Sequence, residues 1–493
     1  MRERQLLERL LRSSTADHHL TITYLKALAT DELDDVTYFD LVSSTEGTLR
    51  EQVSPFRAVR YLLKEWSYPL SRALRSVAMA VRERNSKSLV DKMSKAVEAG
   101  MRVVNFVRLE YERFRDFGRR EMEGALEQAR TLSDLYVTLI STLTFLFAAF
   151  VVASSTFSGI SAAEVVTLIA LAAVASSIGV SFVAWRILKP DTIITSSQYA
   201  PLLVKTIESL SMLIALSLLG TSIASVMLLD PPIADLTIAA AAAVSLSIGS
   251  VGWFKTRKVP ALDEELPLLF RSLAEIMSHI KNPAASVEVV MIGHRGRVRR
   301  TLEELKSLLS SGVELGVAMR STFGRTCSKL ATDSVELLLE CNRLLGSTRA
   351  VGNEVFVYLN DKLVLRRKRL QLAGYVKGIS LPSVGTSAAV FGVVGSLYSL
   401  LQDISAVVST FLPLRLDMPI DLMWRVTIIM LIAFSATSSL LIHLASGTSR
   451  TRLLVDLATF LVVGSLVHFL TMTGTTALLK SLTIHYENLI PVG

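Results

Sequence analysis

The residues with chemical reach in this chain are few, and none stands at a catalytic spacing. Asp191, Asp230, Asp235, Asp403 and Asp456 lie beside long apolar runs, where paired carboxylates could cleave a peptide at a membrane. The Gly-x-Gly-Asp arrangement of that chemistry is missing, so each is read as a solvated carboxylate at the end of a span. His443 and His468 fall inside apolar runs, where polar groups are costly and often functional. Each is read as a neutral imidazole hydrogen-bonded between helices. Lys205 and Glu208, one turn apart, read as a pair or as interfacial charges. The adjacent His18 and His19 would leave a helix on different faces and hold no metal. Cys327 and Cys341 form neither a metal spacing nor a disulfide framework. No Gly-Lys dipeptide occurs, so the chain lacks the phosphate cradle of a nucleotide-driven motor. No catalytic residue, cofactor or metal site is expected.

Binding chemistry is better represented, by clustered arginines. Arg108, Arg113, Arg115, Arg119 and Arg120 form one set, and Arg295, Arg297, Arg299, Arg300, Arg320 and Arg325 a second. A guanidinium bridges a carboxylate through two parallel hydrogen bonds, so both sets are candidate docks for an acidic protein face. Arg366, Arg367, Lys368 and Arg369 form a third set, two to three helical turns before an apolar run, and read as contacts to anionic lipid headgroups.

Seven uncharged apolar runs must position these groups: Leu135–Ala163, Val165–Trp185, Ser209–Leu229, Leu236–Phe254, Gly378–Gln402, Val426–Ser449 and Leu457–Leu479. Each is long enough to cross a hydrocarbon core of about 30 Å as a helix, and lipid-exposed backbone must be helical there. Of the 52 Lys and Arg, 23 precede the first run and 21 lie between Lys255 and Lys377. The short loops around Arg186 and Lys189, and around Arg450 and Arg452, share that parity. By the positive-inside rule both large blocks are cytoplasmic, and the tail after the seventh span is outside. Ile404–Leu414 is too short to span and reads as re-entrant or interfacial. The net charge of +8 is then a consequence of topology, and no nucleic-acid-binding module accompanies it.

The blocks between the spans read as helical. Val107, Tyr111, Phe114, Gly118, Met122, Ala125, Ala129, Leu132 and Tyr136 recur at spacings of three and four, the stripe of one long amphipathic helix running into the first span. Pro55–Arg84 and Lys87–Ala99 are shorter candidates, with Pro69 dividing the first. The acidic segment Asp31–Glu46 has no assigned fold. Val90–Arg108 aligns without gaps on Leu302–Arg320, pairing Gly100 with Gly312 and Arg108 with Arg320. Glycine closes helices because it accepts positive φ cheaply, so a duplicated helix–Gly–helix unit is expected. Its second copy should continue as helix through Ala331, Val335, Leu338, Cys341 and Leu345.

The expected organisation is all-α: a polytopic membrane protein of the cell membrane with seven transmembrane helices in a 4+3 arrangement and two cytoplasmic helical modules. Residues 1–54 form an N-terminal extension and 55–134 the first module. Four spans follow over 135–254, the second module over 255–377, three spans over 378–479 and a tail over 480–493. With Ala99–Gly100, Tyr111–Tyr136 leading into ARTLSDLYVTLI, Ser311–Gly312 and Leu337–Leu345 in these places, Pro55–Leu479 resembles the type II secretion F family. Within it the chain looks like the archaeal platform proteins of the archaellum and type IV pili (the FlaJ and TadC-like branch). The resemblance implies a non-enzymatic platform whose partners are a hexameric cytoplasmic secretion ATPase, filament subunits and membrane lipid. A homodimer is expected from the commonness of such assemblies. The alternative is a transporter or channel subunit with regulatory helical modules.

Overall fold

The periodicity of the chain resolves into helices throughout the residues described by the computed structural model, namely 11, 17–30, 33–154, 162–188, 193, 198–345, 349–408 and 419–487. No strand occurs among them. Seven helices are long and apolar enough to cross a membrane: Val103–Ala153, Ala163–Ile187, Val204–Leu228, Pro231–Asp263, Arg349–Gln402, Ile420–Ser446 and Arg450–Ser481. The chain is thus an all-helical, multi-pass membrane protein by the length and composition of its helices. Most of Ile404–Leu414, and the tail beyond Glu487, lie outside the described residues.

The chain divides into two compact units. The first comprises Met1–Met122, Ile194–Pro201 and Arg257–Leu365; the second comprises Glu123–Ile193, Leu202–Thr256 and Arg366–Gly493. These bounds differ from the expected modules in one main respect. The blocks 55–134 and 255–377 do not build separate cores. Leu62, Leu74, Met93 and Val107 from one block share a single buried cluster with Leu273, Val287, Leu305 and Val335 from the other.

The described residues between Asp17 and Ser54 also contribute to that cluster. Leu20, Tyr24, Tyr38 and Phe39 are buried in it, each apolar side chain contributing about 1.5–3 kcal/mol by leaving water. The phenol of Tyr24 lies 2.7 Å from Thr45 Oγ1, and Tyr38 donates to the Leu25 carbonyl at 2.9 Å. The acidic segment is a helix, Asp35–Ser43, whose Asp34 carboxylate accepts the Thr37 N–H. Asp35 in turn accepts the Val103 N–H at 2.9 Å, placing a carboxylate at the positive end of the helix that starts there.

The duplication extends further than the gapless alignment. Helices Ser54–Glu65, Leu70–Ala80 and Arg84–Glu98 are followed in the second block by Leu266–His279, Pro283–Ile292 and Gly296–Ser310 in the same order. Their buried positions keep register. Pro55, Phe56, Ala58, Val59 and Leu62 match Leu266, Pro267, Leu269, Phe270 and Leu273. Ala73, Leu74 and Val77 match Ser286, Val287 and Val290, and Val90 and Met93 match Leu302 and Leu305. Pro69 caps Leu70–Ala80 and so divides the first candidate helix as expected. Each third helix ends at its glycine. Gly100 N–H donates to Val97 O and Met101 N–H to Ala96 O; Gly312 N–H donates to Leu309 O and Val313 N–H to Leu308 O. This is the paired bond pattern of a Schellman cap.

The copies then diverge. Val103–Ser154 is one helix of 52 residues, beginning in the first unit and ending in the second. No residue from Glu112 to Ala125 is buried. In the second copy the helix stops at Arg325, contrary to the expected continuation. Cys327 takes φ +62°, and a new helix, Lys329–Leu345, starts from Ser328, whose hydroxyl binds Asp263 and accepts the Ala331 N–H. A third long helix, Arg349–Val408, carries Pro382 inside it.

In the second unit the spans approach through small and hydroxylated residues, as expected where lipid supplies no hydrophobic drive between helices. A methyl on Gly395 would sit 2.2 Å from the Trp424 ring, and one on Gly392 would sit 2.1 Å from Thr471 Oγ1. Thr144 donates to Ser387 at 2.8 Å, Ser396 to the Met472 carbonyl at 2.9 Å and Tyr136 to the Phe434 carbonyl at 3.0 Å. Within Ala239–Ala243, Ala239 and Ala242 are buried against the protein's own helices.

Candidate functional site

The arginine sets separate into held and open members. Arg108 donates through Nε and Nη2 to the Ala29 carbonyl, closing the end of helix His18–Leu28. Arg115 forms a two-bond pair with Asp361. Arg320 donates to both Glu336 oxygens at 2.9 and 3.1 Å, and that pairing raises its pKa above the ordinary guanidinium value. Arg325 binds Glu304, Arg113 lies 3.6 Å from Glu110, and Arg299 bonds Glu303 one turn along its helix. Arg120, Arg295, Arg297 and Arg300 are exposed. Arg108, Arg115 and Arg320 therefore hold the unit together, and a docking role is left to the exposed members.

Arg320 belongs to a larger network that no local pattern announces. Glu336 and the almost fully buried Glu340 stand on helix Lys329–Leu345. Glu340 accepts from Arg343 at 2.9 Å and from the Glu46 N–H at 3.2 Å, while Arg343 also donates to the Ser44 carbonyl. Gly47, at φ +64°, brings its backbone against this cluster; a methyl there would lie 3.1 Å from Glu336 Oε2.

Two members of the third basic set do not face outward as a headgroup contact would require. Arg366 and Arg369 are buried, at 8 % and 2 % exposure, and Lys368 pairs with Glu123. Only Arg367 of the four is exposed. A helix turns through 100° per residue, so four consecutive positions face all round it and cannot share one surface.

Two aspartates also correct the reading of solvated span ends. Asp235 is 1 % exposed and its Oδ2 lies 2.7 Å from His468 Nδ1, itself fully buried. Trp424 packs edge-on against that imidazole, with ring centroids 5.5 Å apart, and Thr427 Oγ1 is 3.4 Å from Nε2. Asp456 is 1 % exposed and binds Lys377 at 2.6 Å. Glu208 accepts the Arg450 N–H at 2.7 Å, where a carboxylate meets the start of a helix. The second unit also holds an apolar groove of about 700 Å³ lined by Ile178, Trp185, Leu216, Ile432 and Leu457, with Ser177 and Thr437 among its few polar residues.

Sequence reasoning missed several exposed residues that the fold places beside the open arginines. Ile292, at the end of helix Pro283–Ile292, is 82 % exposed and Leu268 is 63 % exposed. Leu268 borders a cleft of about 540 Å³ with His294, Arg295, Glu264 and Glu265. Only the burial register of the surrounding helices identifies them, since each reads as an ordinary apolar residue in the chain. No group of three or more His, Cys, Asp or Glu able to hold a metal occurs among the described residues. Compared with known proteins, the chain matches no family model, no curated protein and no solved structure.

Proposed function

We propose that this protein is the integral-membrane platform of an archaeal type IV filament assembly machine. In this reading the first unit is cytoplasmic and engages a hexameric secretion ATPase, and the spans, in a 4+3 order, handle the apolar helices of filament subunits. One observation carries it. Two copies of a helix–Gly–helix unit are built around a shared core, and a single unbroken helix, Val103–Ser154, leaves that core to become a candidate span. In this account the stretch Glu112–Ala125, where no residue is buried, is the element that transmits displacement. The chain supplies no motor of its own in this account, so the purified protein hydrolyses no ATP.

A deletion strain tests the reading. It should retain processed filament subunits in the membrane and assemble no filament; accumulation of unprocessed subunits would sink the platform role. Reporter fusions test the topology: cytoplasmic after Lys258 and external at Pro231. A cytoplasmic signal at Pro231 would remove the proposed orientation. A transporter or channel subunit is the second reading, favoured by the buried Asp235–His468 pair, because ionisable groups inside spans commonly mark ion or proton paths. Normal filaments in the deletion strain, with loss of an ion or solute flux, would select it.

A further inference from the structure

The apolar groove of the second unit has a length and a direction. Its exposed lining comes from helices Ala162–Ile187 and Leu202–Leu228, where Ile178, Phe182, Met212 and Leu216 are 51–64 % exposed. Its sunken lining comes from helix Ile420–Ser446. The lining residues run from Val174 to Trp185 on the first helix, from Met212 to Ile223 on the second and from Ile429 to Leu440 on the third. Each stretch is about 16 Å of helix at 1.5 Å per residue. A hydrocarbon core is about 30 Å thick, so the groove is one leaflet long. One end of it lies beside the charged ends of its helices: Trp185 precedes Arg186, Met212 is one turn past Glu208, and Leu453 one turn past Arg450. The groove therefore runs from one membrane interface to mid-depth.

We infer that this groove binds one hydrocarbon chain of an anionic membrane lipid, whose phosphate lies at the arginine-bearing end. Length decides the class of occupant. A transmembrane helix from a partner or a second copy needs about 20 apolar residues and the whole core, whereas a lipid chain ends at mid-depth. Ile429, Ala433, Ala436 and Leu440 recur at spacings of four, three and four, so one face of their helix meets the groove. The two alanines at its centre leave the depth that larger side chains would fill. Thr437 Oγ1 donates to the Ser177 carbonyl at 3.3 Å and lies 3.5 Å from Ser181 Oγ, so it is turned to the protein and offers a hydrated ligand little. At the interface end Arg186 stands one turn past Phe182, its guanidinium over that ring at 5.4 Å, and Trp185 has the place of an interfacial aromatic. Arg186 and Arg450 are exposed. Among the described residues of the four lining helices, Lys205, Arg186, Arg450 and Arg452 stand at this end against Glu208 and Asp456. With both carboxylates counted as charged the balance is still positive, and basic residues at a membrane surface attract anionic headgroups. Either functional reading accommodates such a site.

The experiment uses the full-length protein in phosphatidylcholine nanodiscs that contain a minor share of phosphatidylglycerol carrying a photoactivatable diazirine in one chain. After irradiation, peptide mass mapping should place adducts on Ile178, Leu216 and their neighbours in the groove, in preference to Leu168 and Leu171, which are as exposed but lie outside it. The double replacement Ala433→Phe/Ala436→Phe fills the groove and should cut those adducts roughly tenfold, while Leu171→Phe should leave them unchanged. Arg186→Gln should weaken phosphatidylglycerol labelling about fivefold, the loss of one basic contact to an anionic lipid, and Arg186→Lys should restore it. Unchanged thermal midpoints establish that the variants are folded; a filled variant whose midpoint falls is replaced by the milder Ala436→Leu. Adducts spread evenly over the exposed span residues would leave only an ordinary lipid shell and overturn the inference. Equal labelling in the filled variant overturns it too, as does equal labelling by a phosphatidylcholine probe with the same diazirine. An unlabelled groove, together with a dimer in native mass spectrometry that the filled variant abolishes, would give the groove to a second copy of the chain instead.

Discussion

Gly100 and Gly312 close their helices with φ of +83° and +81° and with the same two backbone hydrogen bonds each. Neither has an atom within 4 Å of the place a methyl would occupy, so both are required by backbone conformation and not by crowding. Gly100→Ala and Gly312→Ala should each cost about 1–2 kcal/mol, the left-handed penalty of an L-residue. Gly100→Asn should cost less, because Asn tolerates that region. Thermal unfolding of the detergent-solubilised protein measures both. Gly395→Ala should cost more, since its methyl would meet the Trp424 ring.

Acid should weaken the first unit in two stages. Burial, reinforced by the Lys362 charge, lowers the His19 pKa to about 3, so its neutral form stabilises fully above the ordinary value of 6.5 and that contribution is lost as pH falls toward 3. Burial pushes the Asp17 carboxyl up, but Lys362 and Lys329 outweigh it and hold it at about 2. Its contribution is full above 3.8 and disappears as pH falls through 2. Asp17→Asn should cost about 2 kcal/mol at neutral pH, at 1.36 kcal/mol per pKa unit. His19→Gln should flatten the fall in thermal midpoint between pH 6.5 and 4. An unchanged slope would remove His19 as its cause.

The held and open arginines should behave differently. Arg320→Ala strands Glu336, which is 8 % exposed, while Glu340 keeps Arg343, and a buried pair broken on one side costs about 3–5 kcal/mol. Arg297→Glu and Arg300→Glu, at exposed positions, should stay within about 0.5 kcal/mol of wild type. They should instead slow ATPase association in a salt-dependent manner, read by stopped-flow mixing at two ionic strengths.

The unburied stretch of helix Val103–Ser154 offers a mechanical test. Gly118→Pro removes a backbone donor in mid-helix and costs about 3 kcal/mol of helix stability. In the platform reading the variant still binds ATPase but no longer assembles filaments. Normal assembly with a kinked helix would exclude that helix as the coupling element.

Asp235 and His468 should prove interdependent. His468→Leu leaves a buried carboxylate alone and should lower stability by about 3–5 kcal/mol. The double replacement Asp235→Leu/His468→Leu should recover much of that loss, and a double-mutant cycle in detergent measures the coupling. Independent effects would show that the two groups are not a pair in the membrane.

The seven apolar helices, the division at Pro69, the glycine caps and the long helix from Val103 were legible in the chain because each rests on local physics. Apolar length, a fixed proline φ, a cheap positive φ and a period of 3.6 residues all act within a few turns. The extent of the repeat was not legible, since Ala58 and Leu269 share a buried role without sharing a side chain, and turns differing by two residues and by one break a gapless alignment. Tertiary structure alone joined the two blocks around one core and drew Leu20 and Tyr38 into it. It also separated Arg320, bound to Glu336, from Arg297, which is open, a difference set by residues distant in sequence. Asp235 looked like a solvated span end until His468 was placed beside it. Pairing between distant residues depends on how helices cross, and no single helix carries that information.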